Sequence, residues 1–295
     1  MHEFRRPPYG GSNQFLVALA GEFRRRGLRV SSSVVGSRTR GCLLHSYLVD
    51  VPRVRRMLHP SCRVVHRVDG PIGAYRGFDD GADRRIVEIN HALADATVFQ
   101  SRYSLDAHRE LGLELRDPVL ISNAADPRIF YPRPAPPPGP RIRLIATSWS
   151  DNPNKGAPTL DWLDRHLDPD RYELTFVGRL PVELRQARVV PPVASEDLAA
   201  LLREHHVYLA PSLNDPCSNA LVEALSCGLP ALFARSGGHP ELVGEAELGF
   251  ENAEEIPALL DRLASELDRR RSLIVVPSLE DVADRYLAAL GIAEG

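Results

Sequence analysis

Short apolar runs alternate with amphipathic stretches along the whole chain, the signature of βαβ units built around parallel sheets. In the first half, 28–35 (LRVSSSVV), 42–49 (CLLHSYLV), 62–68 (CRVVHRV), 96–101 (ATVFQS) and 118–124 (PVLISNA) read as strands. Apolar residues at helical spacing fill the intervals at 12–27, 52–58, 82–94 and 104–112, the first closed by Gly27. The second half repeats the pattern, with strands at 141–149, 172–178, 188–190, 206–212 and 230–234. Its helices are expected at 157–167, 195–204, 218–227 and, as one long amphipathic element, 254–270. Ser278-Leu-Glu-Asp281 then opens a last helix in the manner of a capping box.

Between the two halves lies YPRPAPPPGP (131–140), seven of whose ten residues are Pro or Gly. Such a segment continues neither a helix nor a central strand and reads as a stiff linker. The expected organisation is an N-terminal Rossmann-like domain (1–133), a hinge (134–140), a second Rossmann-like domain (141–280) and a terminal helix (281–295). Ligands of doubly wound sheets bind beyond the carboxyl ends of the strands, so the loops there should carry the chemistry. One end departs from the pattern, because only MHEFRRPPY precedes Gly10-Gly11. HEF reads as the tail of a strand whose beginning is absent, and the expectation is a misassigned or truncated start.

Composition narrows the classes. At 295 residues, 43% hydrophobic and 25% charged, the chain suits two globular domains. A net charge of −3 argues against a nucleic-acid binder. Arginines cluster in FRRRG (23–27), PRVRR (52–56) and DRRRS (268–272); these read first as solvated helix ends, second as contacts for an anionic membrane surface or substrate. Cys42, Cys62, Cys217 and Cys227 form no CxxC pair and read as reduced thiols. No apolar run approaches a membrane span, so the expectation is a soluble cytoplasmic protein with at most peripheral contact with the inner membrane face.

Two features stand out chemically. Among 36 lysines and arginines, Lys155 in SWSDNPNKG (148–156) is the one lysine. In NDPCSNALVEALSCGLP (214–230), Asp215 falls at a strand-to-helix turn and Glu223 eight residues later on the helix. The amides of Cys217, Ser218 and Asn219 at the helix start form an expected anion site. Two acids so spaced can reach different hydroxyls of one ligand; equally, Asp215 could be a capping acid and Glu223 a surface residue.

The segment DPCSNALVEALSCGLPAL resembles the acid-x7-acid signature of retaining glycosyltransferase family 4, the glycosyl transferases group 1 of GT-B fold. Four further stretches resemble that family in the same order: PPYGGSNQFLVAL with Gly10-Gly11, ISNAADPRIF (121–130), NPNKG (152–156) and SGGHPELV (236–243). The resemblance implies two Rossmann-like domains facing a cleft, with the C-terminal helix packing back. It implies that Glu223 holds the ribose hydroxyls of a nucleotide-sugar and that Asp215 contacts the transferred sugar. Lys155 would bind the donor diphosphate, with the amides of Gly10, Gly11 and 217–219. Ser148 and Ser150 stand where the family often has a Gly-Arg pair and become weaker phosphate donors. Gly178 and Arg179, at the end of the 172–178 strand, complete the donor-side candidates. Asp215 itself departs from the usual Glu and is one methylene shorter.

His66 and Asp69, in VVHRVDGP (64–71), are the catalytic candidates of the first domain, where the family commonly places a His near the donor sugar. The alternative is that Asp69-Gly70-Pro71 is a turn and His66 a strand residue. His45, His205 and His206 read as structural, and His239 as a cleft-lining candidate. The implied reaction is metal-independent, hexosyl-transferring and retaining, from a UDP- or GDP-type sugar to a glycan or lipid-linked hydroxyl in polysaccharide or glycolipid synthesis, with no cofactor. A sugar phosphorylase, an epimerase and a nucleotide-sugar-binding protein with little turnover are the competing readings. A dehydrogenase fits least, because no GxGxxG follows a strand.

Overall fold

The computed structural model describes Phe4 and residues 10–134, 139–150, 152–244 and 248–292. His2 and Glu3 of the expected HEF strand tail and the centre of the hinge, 135–138, lie outside the described residues, and Phe4 is in no strand. The chain divides into two units. One contains 16–123 and the C-terminal stretch from 277, the other 10–15 and 124–276.

The first unit is built on four parallel strands: β1 (Gly41–His45), β2 (Arg63–Arg67), β3 (Ala96–Phe99) and β4 (Pro118–Leu120), in the order β1-β2-β3-β4. Every residue of β3 is buried, as expected of a central strand covered on both faces. The helices Val51–Met57, Ile72–Arg76, Ala82–Leu93, Arg102–Glu110 and Leu279–Ala289 belong to this unit. Ser278 caps the last of these, accepting from the Asp281 amide at 3.0 Å. Arg63 Nε donates to the Ala289 carbonyl at 2.7 Å, and Tyr286 is fully buried, which anchors the C-terminal helix in this unit.

The second unit contains six parallel strands: β5 (Ile142–Ser148), β6 (Tyr172–Gly178), β7 (Arg188–Val190), β8 (Val207–Ala210), β9 (Ala231–Ala234) and β10 (Gly249–Phe250). Their order is β10-β9-β8-β5-β6-β7. From β5 the chain therefore winds outward one way through β6 and β7, and from β8 the other way through β9 and β10. The carboxyl ends of β5 and β8 form the topological switch point, where doubly wound sheets open a crevice.

Three expectations are corrected. Residues 28–35 form no strand; Ser31 Oγ donates to the Val34 carbonyl at 3.0 Å and Ser33 has φ +58°, so serine bonding to nearby main chain replaces a ladder. The 254–270 helix is broken at Glu266 into Ile256–Ser265 and Leu267–Ser272. The units divide at Asn123/Ala124 rather than at 134–140, because Phe130 is buried in the second core with Ile129 packed against it. The short helices Ile72–Arg76 and His239–Val243 and the two-residue β10 had too little pattern to be expected.

The arginine clusters at 23–27 and 268–272 are largely paired with acids three or four residues away: Arg25 and Arg26 with Glu22, Arg269 and Arg270 with Glu266, Arg271 with Asp268. Arg53, Arg55 and Arg56 are exposed. All four cysteines are buried and free. Among the described residues, no helix is long and apolar enough to cross a membrane. Replacing the cap by Ser278→Ala should lower stability by about 1 kcal/mol, measured as a shift of the urea midpoint.

Candidate functional site

The site is assembled in the second unit by the two loops that leave the switch point. After β5 the chain passes through Pro153–Lys155, a single 3-10 turn, to Gly156, which precedes the Ala157–His166 helix. After β8 it runs through Pro211–Asp215 to the Asn219–Ser226 helix. The two loops are locked together on either side of Lys155. The Leu213 amide donates to the Asn154 carbonyl at 2.7 Å. Gly156 has φ +88°, and a Cβ there would stand 2.5 Å from Pro211. Held between these contacts, Lys155 Nζ lies 2.8 Å from Asp215 Oδ2.

Asp215 is 5% exposed. Its Oδ1 accepts from the Cys217 amide at 3.2 Å. Burial would raise its pKa, but the Lys155 ammonium, His239 and the Cys217 amide outweigh that and hold it below the usual carboxylate range. The Ser236–Gly238 turn braces the main chain. Ser236 Oγ accepts from the Asn214 amide at 2.9 Å, and the Gly238 amide donates to the Asp215 carbonyl at 2.8 Å. A Cβ on Gly237 would lie 2.3 Å from that carbonyl oxygen. Glycine at 237 permits this close main-chain approach.

Glu223 is placed oppositely. It keeps part of its surface open to solvent, yet its side chain has no hydrogen bond or ion pair among the described residues. Burial in the surrounding protein pushes its pKa up to about 8.

Ser218 caps the Asn219–Ser226 helix through the Leu221 amide at 3.4 Å. The amides of Ser218 and Asn219 have no acceptor among the described residues, whereas that of Cys217 is spent on Asp215. Gly11 abuts this helix start, since a Cβ on it would meet the Asn219 Cβ at 2.7 Å. Gly10 lies beside the Trp149 indole, 3.5 Å from Cδ1 by the same measure. Arg179 stacks over that indole with its Cζ 4.9 Å from the ring centroid. The second unit thus brings together Gly10, Gly11, Ser148, Lys155, Gly178, Arg179, Asp215, Cys217, Ser218, Asn219 and Glu223.

The remaining candidates sit in turns and in the core. Ser148 Oγ closes its own turn, donating to the Ser150 carbonyl at 2.7 Å and accepting from the Ser150 amide. Gly178 (φ +129°) is a spacer, since a Cβ there would stand 1.8 Å from the Ser148 carbonyl oxygen. His239 is fully buried; Nδ1 donates to the Ala234 carbonyl and Nε2 accepts from Ser212 Oγ. His205 and His206 are likewise held in the core, on Leu201, Thr175 and the Arg143 amide.

His66 and Asp69 belong to the first unit. His66 is fully buried, with Nε2 donating to the Ser46 carbonyl at 2.8 Å and Nδ1 facing Asn90 Nδ2 at 3.4 Å. Burial lowers its pKa to about 4. It is a fully buried histidine of β2. Asp69 retains 25% side-chain exposure and accepts from Gln100 Nε2 at 2.7 Å, with Arg67 at 3.4 Å. Among the described residues, no group of three or more His, Cys, Asp or Glu side chains could hold a metal ion.

Two measurements check this geometry. Gly178→Ala should destabilise the protein by on the order of 3 kcal/mol, against about 1 kcal/mol for Gly27→Ala. Both residues have positive φ, but only the Cβ at 178 would collide with main chain. Glu223→Gln should stabilise the protein by an amount that depends on pH. The folded form keeps the Glu223 proton up to about pH 8, whereas a carboxyl with the ordinary value of 4.5 loses it much earlier. Unfolding is therefore favoured progressively between those two pH values, and the gain in melting temperature should grow across that window and level off above it.

Residues 160–267 match the family model described as glycosyl transferases group 1. The chain is 32% identical over 195 residues to MMP alpha-(1->4)-mannosyltransferase of Mycolicibacterium hassiacum, covering 57% of this chain and 47% of that protein. It is 30% identical over 215 residues to D-inositol 3-phosphate glycosyltransferase of Corynebacterium glutamicum, covering 70% and 46%. The chain therefore spans about half the length of these relatives. Among solved structures it is similar to sucrose-phosphate synthase from Thermosynechococcus elongatus, with a TM-score of 0.65 at 15% identity over 96% of this chain and 78% of that one. It is also similar to Anabaena HepE in complex with UDP, with a TM-score of 0.61 at 16% identity over 84% and 74%. At this identity the likeness speaks for the fold, which is GT-B.

Proposed function

We propose that this chain, which belongs to the glycosyl transferases of group 1, moves a sugar from a nucleoside diphosphate to a hydroxyl acceptor and retains the anomeric configuration. The observation that carries the reading is the anion cradle at the switch point. The Lys155 ammonium and the acceptor-free amides of Ser218 and Asn219 lie in one unit, with Gly10-Gly11 packed against the helix start. Compact cations and helix-start amides suit a diphosphate. Glu223, partly open and without a polar partner among the described residues, suits a ribose diol.

In the proposed reaction the bond between the anomeric carbon and the diphosphate oxygen breaks, and its electron pair leaves with the diphosphate. The acceptor oxygen bonds to the same face of the carbon, and its proton passes to the departing phosphate. Negative charge grows on the diphosphate as the sugar becomes oxocarbenium-like, and Lys155 with the oriented amides stabilises it without a metal ion. Proteins of this fold solved with UDP and UDP-glucose, and relatives named as mannosyl- and glycosyltransferases, support a nucleotide-sugar donor. A glycan or lipid-linked acceptor, a part in surface polysaccharide or glycolipid synthesis, and a cytoplasmic location with peripheral membrane contact complete the proposal.

A panel of UDP-, GDP- and ADP-sugars, followed by thermal shift and donor hydrolysis with EDTA present, tests it. At least one donor should stabilise the protein and be turned over; stabilisation by none would sink the reading. Lys155→Ala and Glu223→Ala should each weaken that donor at least about tenfold without unfolding the protein. Lys155→Arg keeps the charge but presents a planar fork, and should still lower turnover.

A further inference from the structure

Lys155 by itself leaves the proposed ligand short of positive charge. It faces Asp215 at 2.8 Å, and that ion pair carries no net charge. A diphosphate ester keeps a negative charge on each phosphate, and the departing one gains more as its bond to the sugar breaks. Two arginines of this unit directly follow a strand of the sheet, Arg179 after β6 and Arg235 after β9. β9 lies two strands from β5, and Arg235 Nε donates to the Gly249 carbonyl at 3.0 Å. β6 is the direct neighbour of β5, and Arg179 is exposed, its side chain without a hydrogen bond or ion pair among the described residues.

Its place is fixed nonetheless. The Arg179 amide donates to the Ser148 carbonyl at 2.8 Å. The far end of its loop is tied down by Asp164, which accepts from the amides of Arg185, Gln186 and Ala187 at 2.6, 2.9 and 2.7 Å. Trp149 stands in the turn that Ser148 Oγ closes with Ser150, and the Arg179 Cζ lies 4.9 Å from its ring centroid. Stacking occupies the flat face of a guanidinium and leaves its N–H edge for an anion. The indole also adjoins Gly10, whose neighbour Gly11 abuts Asn219 at the helix start. Consecutive Cα atoms are about 3.8 Å apart, so one peptide unit separates the Trp149 contact from the Asn219 contact.

We propose that Arg179, held by Trp149, is the second cation of this site and binds the sugar-bearing phosphate of a nucleoside diphosphate sugar. The proposal rests on the reading that such a donor binds here with its ribose on Glu223. Glu223 and Asn219 are about one turn apart on the same helix, so the phosphate next to the ribose falls at the amides of Ser218 and Asn219. The second phosphate then lies away from that helix, across Gly10-Gly11 and toward the Arg179 edge. An arginine from β6 thus supplies the charge absent from the loop after β5, where Ser148 and Ser150 stand.

Nucleotides that differ by one phosphate isolate this contact. Affinities for UDP, GDP and ADP would be measured by calorimetry, and those for UMP, GMP and AMP by competition against the diphosphate that binds. The proteins are the parent, Arg179→Gln, Trp149→Leu and the double variant. Arg179→Gln should weaken the diphosphate about tenfold and its monophosphate by no more than about twofold. Trp149→Leu should weaken the diphosphate by a smaller factor, and should have no effect once Arg179 is replaced. The proposal is overturned if Arg179→Gln leaves the diphosphate unchanged. It is overturned too if both nucleotides weaken by one factor, which would put the arginine on the base, the ribose or the first phosphate. An equal effect of Trp149→Leu with and without Arg179 would overturn the part given to the indole. Should Trp149→Leu fail to fold, Arg179→Lys reads the same feature: it keeps the charge without the planar fork and should recover only part of the affinity, and full recovery would overturn it. A parent that binds none of the six nucleotides defeats the donor-site reading itself. A parent that binds one, with an Arg179→Gln variant that binds it equally, defeats the role of Arg179 alone.

Discussion

The site depends on how closely two loops approach each other at the sheet's switch point. The loop after β5 and the loop after β8 meet at the Asn154 to Leu213 hydrogen bond and at the contact of Gly156 with Pro211. Those contacts flank Lys155 in sequence, and its ammonium lies 2.8 Å from Asp215 Oδ2. Without a glycine at 156 the loops would have to part, and the ion pair would part with them. Parallel winding supplies the remainder, because reversal of strand order at β5 separates the neighbouring connections and opens the carboxyl ends.

Two acids eight residues apart have acquired opposite electrostatic characters from this arrangement. Asp215 is deeper, but the lysine and an amide compensate its charge, and it remains ionised. Glu223 is shallower and uncompensated, so its carboxyl favours the neutral form until about pH 8. Pairs of titratable groups driven apart by their surroundings are a frequent mark of sites with divided roles. Here one acid is paired with a lysine and an amide, and the other has no polar partner among the described residues.

Much of this was legible in the chain, and the failures have physical causes. β6 and β7 begin and end where the apolar pattern says, because nothing nearby competes with the ladder. At 31–33 the serines do compete, and the expected strand gives way to local bonds. Lys155, Asp215 and Glu223 were identifiable from their loops and spacing. Their mutual arrangement was not, since Lys155 and Asp215 meet across 60 residues of sequence. Ser148 and His66 show the same limit: a residue type and a strand end indicate candidacy, but not whether the hydroxyl closes its own turn or the imidazole faces the core. The division at Asn123/Ala124 was hidden for a related reason, because the proline run marks where the chain stiffens and Phe130 decides which core it joins.

The carboxyl of Glu223, which has no polar partner among the described residues, has a consequence beyond its own charge. Around neutrality it holds a hydrogen ion that an ordinary carboxyl would have surrendered, so the proton is already a tenant of the site. A ligand that hydrogen-bonds to the ionised carboxylate must evict that tenant, and a ligand content with the neutral acid need not. Affinity and acidity are then linked by mass action. The heat of binding will include the ionisation of whatever buffer receives the released proton.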